Sequence, residues 1–135
     1  MSEQRQIMTA KDLMKAGVVT IDGMATVREA MRKMRDNNVT CLVVKKRHPN
    51  DAWGLIAVLD LAKGVIATNR NPDQTHVYEV MAKPIITVRP ELDIRYVAGL
   101  FSNHRLRRAP VEDGNGDLIG MISLSDLVFK GADIL

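Results

Sequence analysis

One cysteine, Cys41, is all the thiol these 135 residues contain, so no disulfide can close within the chain. It stands in the apolar run Cys41-Leu42-Val43-Val44, where a lone thiol packs as a small hydrophobe, and this usage agrees with a reducing compartment. Aromatic residues are scarce, with one Trp, two Tyr and two Phe, which is poor material for stacking nucleic-acid bases. No uncharged apolar run approaches the roughly 20 residues that span a membrane. Residues 1–6 are polar, with no apolar stretch behind them. The expectation is a soluble cytoplasmic protein without a membrane partner. His48, His76 and His104 are scattered, none with a second ligand at metal-binding spacing. Gly-x-Gly-x-x-Gly, Gly-x-x-x-x-Gly-Lys-Ser/Thr and Gly-x-Ser-x-Gly are all missing. No catalytic residue, metal or required cofactor is expected, and the chain reads as a non-enzyme.

Charge of one sign is not in large excess: 19 Lys and Arg stand against 16 Asp and Glu, a net charge of +3. The basic residues cluster at Lys45-Lys46-Arg47-His48 and at Arg105-Leu106-Arg107-Arg108. Such clusters are more often solvated faces or anion sites than nucleic-acid grooves.

What the sequence does contain is a duplication. Met14, Thr20 and Arg28 recur as Met81, Thr87 and Arg95, 67 positions on; Gly54, Ile56, Asp60 and Leu61 recur as Gly120, Ile122, Asp126 and Leu127, 66 positions on. Hydrophobic periodicity repeats with the identities. Val27, Ala30, Met31 and Met34 form the stripe of an amphipathic helix, and Ile94, Val97, Ala98 and Phe101 form it again. Thr26-Val27-Arg28-Glu29 is a capping box for the first helix, and Asp93 caps the second. Short β-branched runs at 18–21 and 85–88 precede these helices. Apolar runs at 41–44 and 55–58, then at 109–111 and 118–122, follow them as paired strands, the second pair joined by Asp113-Gly114-Asn115-Gly116. A last helix begins near Leu59 and near Ser125. The fold class is α/β (α+β), two pseudo-symmetric βαββα repeats packed sheet to sheet: repeat 1 over 7–68, a linker at 69–75 rich in Asn, Asp and Pro, and repeat 2 over 76–135.

Over nearly its whole length the chain resembles the tandem cystathionine-β-synthase (CBS) domain pair, or Bateman module. The resemblance is carried by Asp12-Leu13-Met14 and Glu79-Val80-Met81, by Arg107-Arg108-Ala109-Pro110-Val111-Glu112-Asp113, and most specifically by Gly120-Met121-Ile122-Ser123-Leu124-Ser125-Asp126-Leu127. It implies two clefts between the repeats that take AMP, ADP, ATP, S-adenosylmethionine or a related adenosyl ligand, and a homodimer that signals to an effector protein. Ser123, Ser125 and Asp126 suit that role chemically, placing hydroxyls and a ribose-accepting carboxylate at a helix mouth that favours an anion. Alternatively, Ser125 or Asp126 merely caps the helix.

By the resemblance, the first cleft adds Val18, Val19, Thr20, Val39 and Thr40 as the base-binding wall. The second combines Ala57 and Asp60 with Ile85, Ile86, Leu106, Arg107 and Arg108. In that cleft Ala57 and Leu59 stand where the other copy has Ser123 and Ser125, so two hydroxyls are lost. Arg107 or Arg108 compensates by binding phosphate, is solvated, or pairs with Glu112 and Asp113. Asp60 and Asp126 as a catalytic pair are better explained by duplication. Trp53 either packs across a dimer or shields its hairpin. Two other readings stand beside the nucleotide sensor: a structural or protein-interaction module with degenerate clefts, and a basic nucleic-acid-binding surface with steeply salt-dependent affinity.

Overall fold

The computed structural model describes residues 6–135; residues 1–5 of the polar opening segment lie outside it. In chain order its elements are helix α1 (Ala10–Leu13), strands β1 (Lys15–Ala16) and β2 (Thr20–Ile21), helix α2 (Val27–Asp36), strands β3 (Cys41–Val44) and β4 (Gly54–Ala57), and helix α3 (Val58–Leu61), which runs into a π-turn at Ala62–Ile66. A 3-10 turn at Val77–Glu79 follows, then helix α4 (Ile94–His104), strands β5 (Arg108–Glu112) and β6 (Leu118–Ser123), and helix α5 (Leu124–Gly131). Among the described residues no helix is long and apolar enough to cross a membrane. The chain forms two compact units. One is contiguous, Val19–Ile85; the other is split, joining the residues up to Val18 to Ile86–Leu135.

In the contiguous unit, β3 is the middle strand, parallel to β2 with Thr20 opposite Val43, and antiparallel to β4 with Cys41 opposite Ala57. Helix α2 starts where the Thr26 hydroxyl accepts the Glu29 N–H at 3.2 Å. It ends at Asn37 and Asn38, the latter at φ 54°. Val27, Ala30 and Met34 face inward, packing with Leu42, Ile56 and Leu61 in one core cluster; Met31 is only partly buried against it. The remaining first-turn amides of α2 find carbonyls outside the helix. Val27 donates to Thr75 at 2.8 Å and Arg28 to Pro72 at 3.1 Å, and the Arg28 side chain pairs with Asp73 at 3.0 Å. Residues 69–75, expected between the repeats, therefore lie inside this unit as a cap on α2.

In the split unit, β6 lies between β1 and β5, antiparallel to both. Asp93 caps α4 by accepting the Arg95 N–H at 2.9 Å. Ile94, Val97 and Phe101 are buried with Ala109, Val111, Ile122 and Leu127. Ala98, expected on that stripe, is exposed: it lines a surface groove with Leu124 and Val128. The β5–β6 turn is wider than a two-residue hairpin. Asp113 Oδ1 accepts the N–H groups of Asn115 and Asp117 at 2.9 and 3.0 Å, and Gly116 takes φ 83°.

The duplicated sequences and the compact units are not the same segments, because each repeat's leading segment packs on the other repeat's body. Helix α1 and β1 precede the first repeat's helix, yet Ala10 donates to Leu92 and Gly17 to Ile119. Val77 and Ala82 precede the second repeat's helix, yet Val77 donates to Ala25 and Ala82 pairs with Leu55. The runs 18–21 and 85–88, expected as strands, instead carry the chain across between units, at Val18 to Val19 and Ile85 to Ile86. Only Thr20–Ile21 and, through a parallel bridge to Val111, Val88 enter a sheet.

Candidate functional site

Within the contiguous unit, the parallel pairing of β2 and β3 brings their starting ends to one edge. The Val19 carbonyl accepts from Val43 at 2.9 Å, and the Thr40 carbonyl accepts from Val58 at 3.0 Å, which holds the mouth of α3 beside the start of β3. Val19, Val39 and Thr40 are thereby gathered with Ala57 and Asp60. Thr40 is exposed; Val18, Val19, Thr20 and Val39 are half-buried. Ala57 belongs to the core at 5% exposure, and its N–H is taken up by the Asp60 carboxylate at 2.8 Å.

The split unit repeats this arrangement with different chemistry. Arg108 lies opposite Ser123, and the Arg107 carbonyl accepts the Leu124 N–H at 2.7 Å, so Leu106, Arg107 and Arg108 are gathered with Ser123, Ser125 and Asp126. Here Ser123 caps the helix, its hydroxyl accepting the Asp126 N–H at 3.1 Å and lying 3.3 Å from the Ser125 hydroxyl. That leaves the Asp126 carboxylate, 21% exposed, facing Lys130 Nζ at 3.8 Å, one turn along. The Asp60 carboxylate is engaged by its own backbone, whereas among the described residues the Asp126 carboxylate accepts no such bond. The cap that the sequence left between Ser125 and Asp126 thus falls to Ser123.

Arg107 and Arg108 form no ion pair among the described residues. Glu112 accepts the Thr87 hydroxyl at 2.9 Å, and Asp113 serves its own turn. Of the three alternatives for these arginines, pairing with Glu112 and Asp113 is not the one found. Ile85 and Ile86 are half-buried at the crossing between units. Within each unit the structure joins residues that the resemblance assigns to two different clefts. Among the described residues no group of His, Cys, Asp and Glu could hold a metal ion.

The basic run Lys45-Lys46-Arg47, which the sequence leaves between a solvated face and an anion site, borders a cavity of about 670 Å³ that the sequence does not reveal. Its sequence signal, a basic run directly following a buried strand, is shared with ordinary surface turns.

Comparison with known proteins places these observations. The CBS domain model matches residues 10–66 and 77–133. The hexameric CBS-CP12 protein from bloom-forming cyanobacteria has a similar structure, with 43% identity and a TM-score of 0.87, covering 92% of this chain and 71% of that one. CBS domain-containing protein YhcV of Bacillus subtilis is 30% identical over 119 residues, 88% of this chain and 82% of that protein. Of a 27% identical protein from Methanopyrus kandleri, the chain spans only 59% of the length. CBSX2 in complex with AMP shares the fold at 23% identity and a TM-score of 0.71, over 93% of this chain and 97% of that one. With its duplicated sequence, its two sheets and both halves matched, the chain belongs to the CBS domain family as a tandem pair.

Proposed function

We propose that this chain is a regulatory, non-catalytic module of the cytoplasm that binds an adenosyl ligand, AMP, ADP, ATP or S-adenosylmethionine, and passes the signal to a partner protein. The observation that carries this reading is the Asp126 carboxylate, held half-buried at the mouth of α5 with Lys130 as its ion-pair partner among the described residues. A carboxylate in that position accepts two vicinal ribose hydroxyls, while the Ser125 hydroxyl and the α5 N-terminus favour phosphate. The backbone at Val18, Val19, Thr20, Val39 and Thr40 would read the base. A second, weaker set would be Asp60 with Ala57, Ile85, Ile86, Leu106, Arg107 and Arg108, the unpaired arginines taking phosphate. Membership of the CBS family supports the regulatory role, and CBSX2 holds AMP on the same fold.

The test is a thermal-shift titration of the chain with the four ligands, alongside Asp126→Ala. Binding at about 100 times Kd stabilises the native state by roughly 2.7 kcal/mol, and the expected result is a rise with one ligand that the variant abolishes. No rise with any ligand, in a folded protein, removes the reading.

A second reading is favoured by the α5 surface, where Leu124, Val128 and Phe129 are 41%, 53% and 76% exposed. On that reading the module works through protein contacts, a homodimer first among them. It predicts self-association that dilution reverses and that Phe129→Ser abolishes, with no response to ligand.

A further inference from the structure

The cavity beside the basic run lies wholly in the contiguous unit, at the ends of β2 and β3 opposite to Val19 and Thr40. Its floor is firmly built. Lys45 donates its N–H to Ile21 at 3.0 Å, and Tyr78 donates to Gly23 at 3.0 Å, so the turn after β2, the turn after β3 and the 3-10 turn are tied together. Lys45, Lys46, Arg47 and Lys83 line it with Tyr78 and Met24. Asp51, its side chain 7% exposed, receives both the Lys83 ammonium at 2.9 Å and the Arg47 guanidinium at 3.2 Å. Hydrogen bonds from Lys83 and from the Arg47 backbone hold its acid strength well above that of a free aspartic acid. Asp22, the one carboxylate in the lining, accepts the Met24 N–H at 2.8 Å. Among the described residues Lys45 forms no ion pair, and Lys46 sits 5.2 Å above the Trp53 ring. Four cations therefore face two engaged carboxylates.

The rest of the lining is apolar. Val44, Met81 and Met24 supply aliphatic and thioether surface, and the Tyr78 ring, 51% exposed, is held by stacking on His76 at 5.6 Å. A volume of about 670 Å³ is of the size that encloses small organic ligands. Excess positive charge at one wall and a fixed aromatic face at another call for an anion with a flat apolar part. We propose that this cavity is a second ligand site, which takes a small molecule carrying both a phosphate group and an aromatic ring, with Lys45 and Lys46 on the phosphate and Tyr78 against the ring. The site uses residues of one unit only and is separate from Asp126.

The experiment is a titration of the ¹⁵N-labelled full chain with phenyl phosphate, followed by amide chemical shifts. Saturable shifts are expected at Gly23, Lys45, Lys46 and Tyr78, with affinity falling about tenfold in Lys45→Gln, as loss of a charged hydrogen bond predicts. Tyr78→Ala should bind more weakly, and Asp126→Ala as well as the unaltered chain, which separates failure here from failure of the nucleotide reading. Lys45 is exposed, so its replacement leaves the fold intact. Benzyl alcohol and inorganic phosphate should each bind worse than phenyl phosphate. The proposal is overturned if the shifts fall at residues 123–126, if none saturates around the cavity, if Lys45→Gln binds unchanged, or if inorganic phosphate alone binds as tightly.

Discussion

At the start of α3 the Asp60 carboxylate accepts the Ala57 N–H; at the start of α5 the Ser123 hydroxyl accepts the Asp126 N–H, and the carboxylate is left over. The two aspartates hold equivalent places in a duplicated sequence, so their different duties follow from the residue three positions earlier, alanine in one copy and serine in the other. Ser123→Ala should cost about 1 kcal/mol of stability through the lost cap. Asp60→Ala should cost about 1–3 kcal/mol, because the Ala57 N–H is left without an acceptor at a buried position. Asp126→Ala should cost clearly less than either; urea unfolding without ligand ranks the three. Sequence reading found the aspartates and serines but not this division of labour, since Ser123, Ser125 and Asp126 all lie within reach of the same first-turn amides. Asp51 carries the pH prediction. Its hydrogen bonds to Lys83 and to the Arg47 N–H depress its pKa, so its stabilisation is complete above the free carboxylate range near pH 4 and is lost as pH falls below it. Unfolding midpoints measured from pH 6 down to pH 2 should fall less steeply in Asp51→Asn than in the unaltered chain.

Among the elements, the repeated glycines report what periodicity could not. A Cβ on Gly120 would stand 2.7 Å from the Lys15 carbonyl and 2.5 Å from Met14 Sδ; one on Gly54 would stand 3.3 Å from the Ala82 carbonyl and 2.9 Å from Met81 Sδ. Each glycine marks where the leading segment of the other repeat joins the sheet, which is why Gly54 and Gly120, and Met14 and Met81, recur together. The carbonyl cannot swing aside as a side chain can, so Gly120→Ala should destabilise by about 1–3 kcal/mol, the usual range for an overpacked core, and by more than Gly54→Ala. The midpoint of urea unfolding at constant slope checks both. Helices α2 and α4 were legible because Val27, Ala30 and Met34, and Ile94, Val97 and Phe101, repeat at helical spacing over several turns. Strand β1, of two residues, and the single bridging residues Ala82 and Val88 have no periodicity to read. Residues 69–75 read as a linker because Asn, Asp and Pro are loop formers, yet a loop whose carbonyls cap a helix has the same composition as one that caps nothing.

For the whole molecule, the exchange of leading segments sets which pieces can stand alone. A fragment of residues 19–85 keeps all of β2, α2, β3, β4 and the Val77 and Ala82 contacts, whereas one of residues 7–68 lacks the last two and leaves the edge of β4 unpaired. Both are near the size at which a single core is marginal, so the lost edge should decide the outcome: dispersed amide resonances for 19–85, collapsed ones for 7–68. The duplication, the family and the two sheets could be read in the sequence. The exchange could not, because a repeat search aligns the copies and does not say which body each segment packs on. The proposal that Asp126 anchors an adenosyl ligand is decided by calorimetric titration of the unaltered chain, Asp126→Ala and Asp60→Ala with AMP, ADP, ATP and S-adenosylmethionine. Saturable binding of at least one of the four is expected, lost in Asp126→Ala and largely kept in Asp60→Ala; equal affinity in the unaltered chain and Asp126→Ala, or no heat of binding from any ligand, overturns the proposal.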